Sequence, residues 1–78
     1  MIVTHHEYRG YVFTIKYHAA EPAYTVDFPD FSEIITSGAT LAAAFVNACE
    51  VLDLHLESLH KLGKRLPKPK HALTVQST

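Results

Sequence analysis

"YTVDFPDFSEIITSGATLAAAFVNACEVLDLHLESL", Tyr24–Leu59, decides the fold. Its second half places Leu41, Phe45, Ala48, Cys49, Leu52, Leu56 and Leu59 at helical spacing, which gathers one apolar stripe for packing against a sheet. Thr40 stands just ahead of the run and supplies an N-cap. Asn47, Glu50, Asp53, Glu57 and Lys61 fall on the opposite face, and Glu57 with Lys61 makes an i,i+4 pair worth only ~0.2–0.5 kcal/mol. Gly63 provides a left-handed stop, and Lys61, Lys64 and Arg65 sit at the negative end of the helix dipole. Pro67 and Pro69 stiffen the exit.

The first half alternates instead. Tyr24, Val26 and Phe28 take one face of a strand, and Thr25 and Asp27 the other. Pro29-Asp30 breaks that strand. "EIITS", 33–37, is short and β-branched and reads as another strand, after which Gly38 lets the chain turn into the helix. Upstream, "GYVFTIKYH", 10–18, alternates β-branched and aromatic residues and pairs with the 23–28 strand as a hairpin across the "AAEP" loop. "IVTHHEY", 2–8, is compatible with another short strand turning at Arg9-Gly10 and is left out of the strand count, whereas "HALTVQS", 71–77, reads as the last strand. The pattern is an α+β fold, β-β-β-α-β: a small, mostly antiparallel sheet with one long helix packed on one face, as a single domain over residues 1–78.

A chain of 78 residues buries only about 60–65% of the surface its unfolded form exposes, so self-association would add useful burial. Val46, Val51 and Leu54 lie off the main stripe; ordinary exposed apolar surface is the plain reading, and a subunit contact in a homo-oligomer is the sharper one. The single cysteine, Cys49, excludes an intramolecular disulfide framework. The N-terminus lacks the basic and apolar regions of a secretory signal, and the charged residues of the helix exclude a membrane span. A reducing, cytoplasmic home is expected. Up to His60 the chain carries eight acidic residues and two basic ones, Arg9 and Lys16; the other five, Lys61, Lys64, Arg65, Lys68 and Lys70, share one short segment. An acidic body is a poor nucleic-acid surface and a good one for a basic protein.

These pieces in this order resemble the HicB family of antitoxins: "VDFPDF", then "IITSGAT", then "LAAAFVNACEVLDLHLESL", then a Gly-to-Pro-x-Pro exit in "KLGKRLPKPKHALTV". "EYRGYVFTIKY" is similar to the Tyr-Lys-Gly-Tyr opening of one branch. The resemblance implies a partial ribonuclease H-like domain whose partner is a HicA-like toxin, a small basic protein that cleaves messenger RNA. Many members add a C-terminal DNA-binding module; the sequence ends at Thr78 without one, so direct DNA binding by this chain alone is not expected. Ser32-Glu33 replaces a common Pro-Gly, and Ala42-Ala43 replaces acids of the first helical turn, which removes a capping box.

Asp27, Asp30 and Glu33 are the candidate partner-binding residues: acids that meet a basic toxin need only surface charge. The alternatives are solvated acids at a strand edge and turn, or a two-metal nuclease site, which would need further converging carboxylates. Of the six histidines, His5 and His6 point to opposite faces of a strand, and His55 and His60 are five apart on the helix, not the four of a metal pair. His18 and His71 are isolated. Cys49 on the core stripe reads as a buried structural thiol, and Ser32, Ser37 and Ser58 lack the glycine elbow of a nucleophile. The Lys61–Lys70 cluster lacks the interleaved aromatics of a nucleic-acid grip. No catalytic group, metal or cofactor is expected. The leading reading is a non-catalytic antitoxin, or a stand-alone relative, that occludes its toxin; the alternative is an orphan oligomeric scaffold domain that has lost its toxin partner.

Overall fold

The computed structural model describes residues 3–69. Their elements are β1 (Val3–Tyr8), β2 (Tyr11–His18), β3 (Ala23–Asp27), β4 (Ile35–Gly38) and α1 (Leu41–Lys61). The strands form one antiparallel sheet in the order β1-β2-β3-β4, each beside its predecessor in the chain. The architecture is α+β, as expected. The N-terminal segment is a full strand, so four strands precede the helix; the strand expected at 71–77 lies outside the described residues.

The β1–β2 turn is two residues long, with Tyr8 opposite Tyr11. Arg9 and Gly10 both have positive φ, 54° and 86°, as a type I′ turn requires. Arginine is unusual there, and the ion pair described below offsets its backbone cost.

Strand alternation sorts the sheet into two faces. Tyr11, Phe13 and Ile15 of β2 and Val26 of β3 are buried on one side. α1 closes that side with Ala44, Ala48, Leu52 and Leu56. The buried stripe therefore includes Ala48, Leu52 and Leu56 as expected, together with Ala44, which the apolar spacing left out. Leu41 and Phe45, expected on the stripe, are 41% and 37% exposed. The small residues lie where α1 comes closest to the sheet. A Cβ on Gly38 would stand 2.4 Å from the Ala44 amide nitrogen. Gly38 is thus required by close approach of helix backbone to β4, rather than by the turn. Asn47 and Asp53, expected on the solvent face, turn inward at the edges: Asn47 Nδ2 donates to the Ser37 carbonyl at 2.8 Å, and Asp53 reaches the β1–β2 turn.

Both ends of α1 are capped as the sequence predicts. Thr40 Oγ1 accepts from the Ala43 amide at 3.0 Å. At the other end Gly63 has φ 71°, its amide donates to the His60 carbonyl, and the Lys64 amide donates to Leu59. That pair of bonds is a Schellman motif. The chain then returns toward the hairpin: the Tyr11 hydroxyl donates to the Pro67 carbonyl, and Pro69 lies beside Gly10.

Candidate functional site

Between β3 and β4 the chain makes two successive reverse turns. The Phe31 amide donates to the Phe28 carbonyl and the Ile34 amide to the Phe31 carbonyl, each at 3.0 Å. This three-residue repeat sends Phe28, Phe31 and Ile34 into the core. Phe28 packs on Phe13 with ring centroids 5.0 Å apart, and Phe31 on Tyr11 at 4.8 Å. The second turn also delays the strand: β4 begins at Ile35, not at Glu33. Pro29, Ser32 and Glu33 are left outside, on a segment whose backbone three buried side chains hold.

The three candidate acids do not converge. Asp27 is exposed on the sheet face away from α1, in a cross-strand row with Thr14 and Ile35. Glu33 turns toward the helix, and its Oε2 lies 3.0 Å from His55 Nε2. His55 in turn sits edge-on to Phe31, with centroids 5.1 Å apart. Asp30, half-buried, lies between them in sequence on the double turn. The surface is therefore an acidic ridge around a rigid turn, not a carboxylate cluster. Beside Asp27 is an open cavity of about 320 Å³, walled by Thr14, Phe28, Pro29, Ser32, Ile34 and Ile35.

The second candidate group also divides. Val46 and Leu54 are 54% and 66% exposed on the outer side of α1. Val51 is half-buried and packs against the core cluster.

A charged network that sequence reading missed ties α1 to the first hairpin. Asp53 accepts from Arg9 Nη1 at 2.9 Å and from the Tyr8 hydroxyl at 3.0 Å. The Arg9 bond, then the Tyr8 bond, lower the Asp53 pKa below its usual value, and the Asp53 bond is the main cause that raises that of Tyr8. Cys49 is partly buried; that burial, then the Asp53 charge, raise its thiol pKa, so it stays protonated. The hint in the sequence was Arg9 itself, a long cationic residue in a two-residue turn where non-glycine residues at positive φ are uncommon.

The histidines scatter. His6 stacks on Phe13 at 5.2 Å and meets Phe45 edge-on at 5.2 Å, and burial, then neighbouring His5, lower its pKa. His18 contacts the Thr25 hydroxyl at 2.8 Å. His71 and Lys70 lie outside the described residues. Among the described residues no group of three His, Cys, Asp or Glu side chains is placed to hold a metal ion, and no helix is long and apolar enough to cross a membrane. Lys61, Lys64, Arg65 and Lys68 are exposed around the helix exit.

The fold is a small antiparallel sheet with one helix and an acid-bearing double turn between β3 and β4. The chain belongs to the HicB-like antitoxins of bacterial toxin-antitoxin systems, whose family model matches residues 11–78. No curated protein and no solved structure matches it. The matched span contains the double turn and α1, whereas β1 precedes it.

Proposed function

We propose that the protein is a non-catalytic antitoxin that binds a small, basic, HicA-like ribonuclease toxin and blocks it by stoichiometric occlusion. Family membership carries the reading. The acidic body supports it: a ribonuclease needs a cationic surface for RNA, and that surface is complementary to this one. Asp27, Asp30 and Glu33 supply the charged contact, along a ridge held in place before the partner arrives. A surface fixed in advance loses little conformational entropy on binding.

The experiment is capture of the protein with its partners from the source cells, followed by reconstitution. A small basic protein whose RNA cleavage stops at one-to-one addition is the expected result. A captured ribonuclease that remains active at saturation would sink the proposal. Asp27→Lys is expected to weaken the complex at least tenfold, the scale of one lost charge-assisted bond.

A second reading rests on Val46 and Leu54, two exposed apolar side chains on the outer helix face. They supply the contact of a homo-oligomer, which a domain of this size would gain from. In an orphan scaffold that contact is the function; in an antitoxin it coexists with toxin binding. Light scattering of the pure protein distinguishes an oligomer from a monomer, and a monomer refutes the scaffold.

A further inference from the structure

Asp27 is an exposed carboxylate on an otherwise half-apolar wall. It lies in line with Thr14 on one side and Ile35, 77% exposed, on the other. The cavity beside it has apolar walls in Pro29, Ile34 and Ile35, and two hydroxyls, those of Thr14 and Ser32. Among the described residues no cation pairs with Asp27; Lys16, one row along the same face, does not reach it. Three other acids have a nitrogen partner: Asp53 has Arg9, Glu57 has Lys61, and Glu33 lies against His55.

From this geometry we infer that the cavity is a socket for one arginine side chain of the protein partner. The inference rests on the antitoxin reading for the identity of that partner. The occupant must carry a cationic head for Asp27 and an apolar stem for the isoleucine and proline walls. Lysine and arginine both have such stems. Arginine fits better because its guanidinium offers five N–H donors in a plane. Two can meet the Asp27 carboxylate side by side, leaving others for the Thr14 and Ser32 oxygens. Lysine offers a point charge with three donors and cannot make the bidentate pair. A metal ion does not suit the site, since one carboxylate and two hydroxyls make a poor hard-cation cage. The backbone around the cavity is fixed on one side by the β2–β3–β4 ladder and on the other by the double turn. The socket is therefore formed before it is filled.

The test uses N-acetyl-arginine amide as the probe, titrated into the isotopically labelled full chain and followed by backbone amide shifts. N-acetyl-citrulline amide, nearly the same shape without charge, is the control. Saturable shifts confined to Thr14, Asp27, Ser32 and Ile35 are expected with the arginine probe. Affinity is expected to fall about tenfold or more with citrulline or in Asp27→Asn. Ile35→Ser, which removes the wall but keeps the charge, is expected to weaken the probe without abolishing it. Both changes are at exposed positions, and an unchanged spectrum elsewhere verifies the fold. Equal response to citrulline, undiminished binding in Asp27→Asn, or no saturable shift at the socket overturns the inference. So does self-association that Asp27→Asn abolishes without any response to the probe, which would assign the socket to the basic segment of a second copy. The probe requires no toxin, so the socket can fail while one-to-one inhibition holds, and inhibition can fail while the socket binds arginine.

Discussion

Single atoms decide several features of this protein. Gly38 is the clearest, because any side chain there meets the helix backbone at Ala44. Gly38→Ala is expected to destabilise by about 1–3 kcal/mol, the usual cost of overpacking, read as a lower urea midpoint; an unchanged midpoint would show that α1 can slide away from β4. Asp53 and His6 give the residue scale a pH dependence in two separate windows. The Asp53 pKa is lowered in the folded protein by Arg9 and Tyr8, so its contribution is in full above the ordinary value of 3.8 and is lost as pH falls through the lower folded value. The His6 pKa is also lowered, here by burial, so the folded state resists its protonation. Stability is accordingly highest above the ordinary value of 6.5 and declines as pH falls below it. Urea midpoints measured from pH 8 downward, in steps of about half a unit, are expected to show both declines. His6→Gln should remove the upper one and Asp53→Asn the lower one, and persistence of either in its own variant would refute the assignment.

At the scale of elements, α1 owes its place to packing and its ends to capping. Leu52 is fully buried against the sheet, and Leu52→Ala is expected to cost about 2–5 kcal/mol. Thr40→Ala, which deletes the bond to Ala43, should cost about 1 kcal/mol. Calorimetric or urea unfolding ranks the two, and a larger loss for the cap would contradict the packing described. The β2–β3 hairpin and the helix limits were legible because they depend on local pattern: alternation through Tyr11–His18, a hydroxyl before Leu41, a glycine after Lys61. The face of α1 was legible only roughly. Large apolar residues attract attention in a helical pattern, yet Ala44, left out of the stripe, lies at the contact because helix backbone approaches Gly38 there. Asp27 could be placed opposite Val26 by strand alternation alone. The direction of Glu33 could not, since the second reverse turn and the His55 partner arise from tertiary structure. The same holds for Asp53, whose bonds span more than forty positions of the chain.

At the scale of the whole molecule, the described residues are asymmetric: α1 covers one sheet face, and no described element packs on the other. α1 protects the aromatic side, while Asp27 and Ile35 stand on the other. Toxin contact through the open face and the turn would leave the outer helix face free, so Val46 and Leu54 could join copies without competing. Val46→Glu with Leu54→Glu is expected to yield a monomer by sedimentation while toxin inhibition persists; loss of both would mean that the two surfaces overlap. The order of strands carries one more consequence. Every strand pairs with the one made just before it, and the helix comes after all four. Among the described residues no strand waits for a distant segment, so loop closure for these four strands is short and inexpensive. A ribosome would release the sheet hairpin by hairpin, and the residues of the Asp27 socket, all between Thr14 and Ile35, would leave it before α1 does. Its buried anchors need the helix to seal them, so the proposed binding surface would be drafted early and fixed only once α1 has left the ribosome and packed on the sheet.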